Sequence, residues 1–288
     1  MYGSHLSIAG GMYKAVVEAQ RLGFGSVQVF TKNQQQWKVP PLNDDAVTQW
    51  HHACDAASFT HVVAHDSYLI NLGSPDESAR AKSIALFDEE LRRCALLNIP
   101  YLVTHPGAHM GERDNAADER AGLERIALSL NDVLARDATG RTIVCIESTA
   151  GQGSSLGHRL EHLAFLVEHV RPAHRLGVCF DTAHLFAAGY DFRGRKYAGF
   201  LRDVNKHIGL DRVRVWHLND SKKPMGSRVD RHEHIGLGTI GDDGFAPIVR
   251  DKRWRDIPKI METPKLKHAD GRDWDEHNLQ RLLQLAKR

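Results

Sequence analysis

No glycine-rich phosphate loop of the GxGxxG or Walker kind directly follows a strand-like run in this 288-residue sequence (the string GLGTIG at 236–241 lies well past the run that ends at 218), and neither a CxxC pair nor any apolar run long enough to span a bilayer occurs. The first absence argues against a doubly wound nucleotide-binding sheet. The second argues against a thiolate-zinc framework, and the third against a membrane-spanning helix. Cysteine is scarce. Cys145 and Cys179 sit inside apolar runs, where a thiol behaves as a small buried hydrophobe, and Cys54 and Cys94 are the only others. A reducing compartment is expected. The opening MYGSHLSIAGG lacks a basic segment followed by an apolar one, so no secretory signal and a cytoplasmic location are expected. Neither sign of charge dominates, since 38 Lys and Arg against 36 Asp and Glu leave a net +2. A partner made of phosphates must therefore be gripped by local clusters.

What the sequence has in surplus is histidine, with eighteen residues. Histidine is the commonest metal ligand, so the positions decide its meaning. Short β-branched runs at 3–8, 26–30, 60–65, 100–105, 142–147, 176–181, 213–218 and 257–262 read as strands. Helical spacing of apolar residues fills 12–22, 44–57, 76–98, 116–136, 158–170, 195–208 and 273–287, with only short helical pieces expected in 239–256. No linker or composition break divides 1–288. Eight alternating β and α units over this length predict an α/β fold: a single-domain (β/α)₈ TIM barrel with its site at the carboxy-terminal strand ends.

On that frame the metal-type residues fall on one rim. His65, His105, Glu147, Asp181, His217 and Glu262 end six successive strands; His184 follows Asp181 by three residues, and Asp230 and His232 lie in the loop after the seventh strand. Each has an ordinary reading by itself. A lone rim histidine is usually just hydrogen-bonded, and Asp181 could be a helix cap. Six strands obeying one rule is another matter. Carboxylates ending apolar runs repel one another unless cations intervene. Histidine and carboxylate without thiolate suit Zn²⁺, Mn²⁺ or Fe²⁺ better than Mg²⁺ or Ca²⁺. Nine ligands exceed one ion's needs. Clustered ions are typical of phosphoryl-transfer hydrolases, with Ser67 and Ser148 expected to orient ligands by hydrogen bonds.

The strings around these residues carry a resemblance: HDSYLINLGSP at 65–75, HPG at 105–107, IESTAGQGSSLG at 146–157 and GVCFDTAHLFAAGYD at 177–191. HLND at 217–220, GSRVDRHEHIGLGTIG at 226–241, METP at 261–264 and FTKNQQQW at 30–37 complete it. The sequence resembles the endonuclease IV family from end to end. The resemblance implies three zinc ions: one on His65, His105 and Glu147, one on Glu147, Asp181, His217 and Glu262, and one on His184, Asp230 and His232. It also implies cutting of double-stranded DNA on the 5′ side of an abasic site, with Glu147 and Glu262 catalytic. The products would be a 3′-hydroxyl and a 5′-deoxyribose phosphate, and blocked 3′ ends would be trimmed.

DNA contacts are expected from the basic loop 221–231, which carries Lys222, Lys223, Arg228 and Arg231 against one acid. Tyr68 and Leu69 read as an apolar wedge for the opened base stack, the part the resemblance gives them. Gln35 belongs to the same surface but departs from the family, which commonly has arginine there. Ser148 and Ala183 stand where asparagine and cysteine are expected. A monomer is expected, because no large apolar patch reads from the helix faces. The rival readings are a barrel sugar isomerase or epimerase, which needs neither basic loop nor wedge, and a non-catalytic DNA-damage-binding protein.

Overall fold

The computed structural model describes residues 1–287. Its elements run β1 (Tyr2–His5), α1 (Tyr13–Arg21), β2 (Ser26–Phe30), α2 (Asp44–Ala57), β3 (Val63–His65), α3 (Glu77–Leu96), β4 (Tyr101–Thr104) and α4 (Ala116–Arg136). There follow β5 (Ile143–Glu147), α5 (Leu160–His169), β6 (Leu176–Asp181), α6 (Thr182–Ala188), α7 (Tyr197–His207) and β7 (Val213–His217). The chain closes with β8 (Asp220–Ser221), β9 (His232–Glu233), α8 (Asp242–Arg250), β10 (Lys259–Met261) and α9 (Trp274–Lys287). Eight strands form a closed barrel in the order β1-β10-β7-β6-β5-β4-β3-β2, and β8 with β9 makes a separate antiparallel ribbon. Every neighbouring pair in the barrel is parallel. The predicted TIM barrel is the observed fold.

Side chains alternate across each strand, so the barrel sorts them into two cores. Val27, Val29, Leu102, Val144, Ile146, Val178, Phe180 and Trp216 face outward and pack under the helices. Val63, Val103, Cys145, Cys179, Val215 and Ile260 form a second cluster, fully buried inside the barrel. Cys145 and Cys179 thus fill space as small hydrophobes, and all four cysteines are free.

Two short elements escaped the periodicity. Helix α6 has seven residues, too few to display a 3.6-residue repeat; the Asp181 side chain caps it, accepting from His184 N at 2.9 Å, and Gly189 at φ 105° ends it. The ribbon has two residues per strand. Strands β1, β3 and β10 are shorter than 3–8, 60–65 and 257–262, because only the paired part of each run joins the ladder. In 239–256 the expected short pieces are α8, which contains Pro247, and a single 3₁₀ turn. Among the described residues, no helix is long and apolar enough to cross a membrane.

Candidate metal centre

Strand parity builds the site. Counting two residues on from each member of the inner cluster gives His65, His105, Glu147, Asp181, His217 and Glu262. The six candidate strand-end ligands are therefore the next inward layer of the barrel, directly above the apolar one. Glu147, Asp181 and His217 are completely buried. His184 joins from the first turn of α6, Asp230 from the loop leading into β9, and His232 from the start of β9 itself.

All nine residues meet. His65 Nε2 and His105 Nε2 lie 3.1 and 3.3 Å from Glu147 Oε2, while His217 Nδ1 lies 3.1 Å from Glu147 Oε1 and 3.2 Å from Glu262 Oε2. Asp230 spans the other pair, with Oδ2 3.2 Å from His184 Nε2 and Oδ1 3.2 Å from His232 Nε2. Ligand-type atoms fall within 4.8 Å of one another in three groups: His65, His105, Glu147; Glu147, Asp181, His217, Glu262; and Asp181, His184, His232. Glu147 is shared between the first two. Asp181 is also shared, since it joins the third group, where the family resemblance implied Asp230 alone as carboxylate.

The hydrogen positions suit cations. His65 Nδ1 donates to Asp66 O (2.9 Å), His184 Nδ1 to Ser148 O (2.8 Å), His217 Nε2 to Gln28 Oε1 (2.8 Å) and His232 Nδ1 to Glu262 O (3.2 Å). Each ring is thus anchored by its outer nitrogen and turns the other toward a carboxylate, the arrangement by which proteins orient metal-binding histidines. His232 Nε2 is buried and, although 3.2 Å from Asp230 Oδ1, is not aligned to donate a hydrogen bond to it. Without ions the carboxylates must be balanced by protons. Burial opposes the charged ring, yet Glu147 raises His65 to about 9, and Asp181 with Asp230 raises His232 to about 9. Burial likewise works against the Glu147 and Glu262 charges, but His217 above all holds both carboxyls well below the usual range. Four carboxylates and five imidazoles form a donor set for zinc-type ions.

Several supporting residues were not foreseen. Gln28 Nε2 donates to Glu262 Oε1 at 2.6 Å, and His5 Nδ1 lies 3.3 Å from the same oxygen. Both sit on inward positions of β2 and β1, but two residues before them stand Ser26 and Gly3, which are not members of the apolar inner cluster from which the ligands are counted. Asn219 Nδ2 donates to Asp181 Oδ2 at 2.6 Å while Asn219 Oδ1 accepts from Glu262 N at 2.7 Å, tying two ligands together. The buried Asp220 carboxylate accepts from the backbone N–H groups of Ser221, Gly236, Ile240 and Gly241, and so shapes the loop that carries Asp230 and His232. Ser148 behaves as expected, its Oγ accepting from Asp181 N at 3.0 Å. Ser67 Oγ instead donates to Gln34 O at 2.6 Å, joining two rim loops. Gly157 has φ 94°, and a Cβ there would meet Pro106 and the Glu147 carbonyl, so glycine is required beside the shared ligand.

Around the mouth, Tyr68 is 60% exposed and its ring stands 5.6 Å from those of Phe30 and His65. It forms a ridge between a cleft of about 520 Å³, bordered by His105, His184 and Asp230, and another of about 560 Å³, bordered by His5, Phe30 and Glu262. Leu69 is half-buried against the core, which leaves Tyr68 as the exposed member of the pair. Gln35 is exposed in a loop pinned from α3, where Arg93 donates twice to Thr31 O, at 3.0 and 2.6 Å. Lys222, Lys223 and Arg231 are exposed, whereas Arg228 is half-buried and donates to Asp114 Oδ1 at 2.6 Å.

The family model of the xylose isomerase-like TIM barrel matches residues 16–285. The probable endonuclease 4 of Chloroflexus aurantiacus (strain ATCC 29366 / DSM 635 / J-10-fl) is 48% identical over 265 residues, 92% of this chain and 91% of that protein. That of Geobacter sulfurreducens is 44% identical over 291 residues, 99% of this chain and 94% of its own length. The crystal structure of endonuclease IV from Thermus thermophilus superposes with a TM-score of 0.84 at 35% identity, covering 99% of this chain and 98% of that one. A D-tagatose 3-epimerase-like protein shares the fold at a TM-score of 0.72 with 16% identity over 99% of this chain and 98% of its own.

Proposed function

Because this chain belongs to the xylose isomerase-like TIM barrel family, and within it to the endonuclease IV group, we propose that it is a metal-dependent DNA-repair endonuclease. It hydrolyses the phosphodiester on the 5′ side of an abasic site in duplex DNA, leaving a 3′-hydroxyl and a 5′-deoxyribose phosphate, and trims blocked 3′ ends. The observation that carries this reading is the convergence of three ligand groups, linked by Glu147 and Asp181, at an open barrel mouth. Single domain, monomer and cytoplasmic location are the simplest setting for that role.

Three zinc-type ions fit the charge of the site. Four carboxylates contribute −4 and three dications +6, so with neutral imidazoles the centre carries +2 toward an incoming phosphodiester. Ions held there supply Lewis-acid stabilisation of phosphoryl oxygens and lower the pKa of water. The protein contributes geometry. His65, His105 and Glu147 would hold the first ion, Glu147, Asp181, His217 and Glu262 the second, and His184, Asp230 and His232 the third, with Asp181 beside it. Glu262, whose Oε1 is held by Gln28 Nε2, would help to position the attacking water. Tyr68 offers an apolar face to the opened stack, Lys222, Lys223, Arg228 and Arg231 grip the backbone, and Gln35 adds a neutral contact to the duplex.

The direct test is a duplex with one abasic site. A single nick on its 5′ side, with a 3′-hydroxyl end, is expected. An intact duplex would overturn the reading, and turnover of a ketose instead would favour the epimerase alternative. A second expectation concerns the ridge. Tyr68→Ala weakens abasic-duplex affinity about tenfold, since stacking on an aromatic ring is worth roughly 1–3 kcal/mol. Metal content should not change. Loss of metal with unchanged affinity would instead make Tyr68 a support for the ligand histidines it touches.

A further inference from the structure

Three arginines from separate stretches of the rim converge on one exposed carboxylate. Arg228, in the loop between β8 and β9, donates to Asp114 Oδ1 at 2.6 Å. Arg113 Nε lies 3.8 Å from Asp114 Oδ2, and Arg159 Nη2 lies 4.0 Å from Oδ1. Asp114 precedes α4, and Arg159 precedes α5. Behind them the buried Glu119 faces Arg159 Nη1 at 3.4 Å, and the buried His158 Nε2 has no hydrogen-bond partner. Asp114, Glu119 and His158 lie close enough to suggest a cation site. The charge count decides otherwise. Two carboxylates face three guanidiniums, and the surplus positive charge favours an anion.

The backbone points the same way. Asp114 has φ 61° and Arg228 φ 51°. Side-chain-bearing residues seldom adopt this left-handed conformation, and arginine lacks the short polar side chain that eases it for aspartate. Both ends of the ion pair are thus held in uncommon conformations by the surrounding loops, and Asp114 is nearly half exposed to water, where such a pair is weak. Guanidinium groups bind phosphate as readily as carboxylate, in the same forked geometry. Arg228 is also two residues from Asp230, a span of at most about 7 Å along the backbone.

Resting on the nuclease reading above, we propose that Arg113, Arg159 and Arg228 form a DNA-phosphate subsite beside the metal centre, occupied in the free protein by Asp114, whose carboxylate a backbone phosphate displaces. Asp114 then acts as a latch that makes DNA entry compete with an internal acid.

The test measures abasic-duplex affinity at several salt concentrations for Asp114→Asn, with and without Arg228→Gln. The single variant should bind about three- to tenfold tighter at low salt, and its salt dependence should steepen by about one counterion. In the Arg228→Gln background the same change should shift affinity less than twofold. Glu112→Gln, which removes an equal charge two residues away, should also shift it less than twofold. An equal gain in both backgrounds would reduce the latch to a general charge effect and overturn it. Unchanged affinity for Asp114→Asn, with the wild-type chain binding the duplex normally, would overturn it too. Failure of the wild-type chain to bind abasic DNA would instead strike the nuclease reading itself, and the latch with it.

Discussion

Replacing Glu147 with glutamine is expected to slow nicking of an abasic duplex by at least about a hundredfold, the scale on which loss of one electrostatic contact acts in other active sites. The substitution keeps the side chain's shape and removes one of four negative charges. Glu147 faces His65, His105 and His217 at 3.1–3.3 Å, and its two oxygens serve two of the three ligand groups. A neutral amide cannot serve both groups as a carboxylate does. Glu262→Gln is expected to fall in the same range for a different reason: its amide nitrogen must either confront the Gln28 Nε2 donor that now holds Oε1 or replace the Oε2 that faces His217. Duplex affinity should change little in either variant, because the basic loop and Tyr68 are untouched. Rates near wild type in both would remove these two carboxylates from the chemistry.

Prolonged chelation is expected to abolish nicking and to lower the melting temperature by at least about 5 °C, both restored by Zn²⁺. The ligands come from the ends of six barrel strands, from α6, from the loop before β9 and from β9 itself, so ions cross-link elements far apart in sequence. Ions at a hundred times their dissociation constant would contribute about 2.7 kcal/mol. For a chain of this size each 1 kcal/mol moves the midpoint by roughly 2–4 °C. Removing them leaves Glu147, Asp181 and Glu262 to be balanced by protonated histidines buried against them. An unchanged melting temperature in the metal-stripped protein would mean that the rim is stable on protons alone.

Most of the centre was readable from the residues, and strand alternation explains why. Cys145 and Glu147, or Val215 and His217, are two apart on one strand face, so an apolar inner layer announces the polar layer above it. The same logic extends to Gly3 and His5, and to Ser26 and Gln28, but neither pair starts from an apolar residue, so the inward face of β1 and β2 was not recognised. Asn219 and Asp220 act through contacts with Asp181, Glu262 and the backbone at 236–241, distances that no spacing rule encodes. Asp181 had two competing readings, helix cap and ligand, and it is positioned for both. Oδ1 caps α6, while Oδ2 lies 3.7 Å from His232 Nε2. The basic loop was legible as charge, but the pairing of Arg228 with Asp114, distant in sequence, was not.

Elemental analysis of the chain purified without chelator, alongside its nicking rate on one abasic duplex, tests most directly whether the nine converging residues are a metal centre that cuts DNA. Two to three zinc-type ions per chain, lost together with the activity on chelation, are the expected result. One ion or none in a fully active preparation would contradict it.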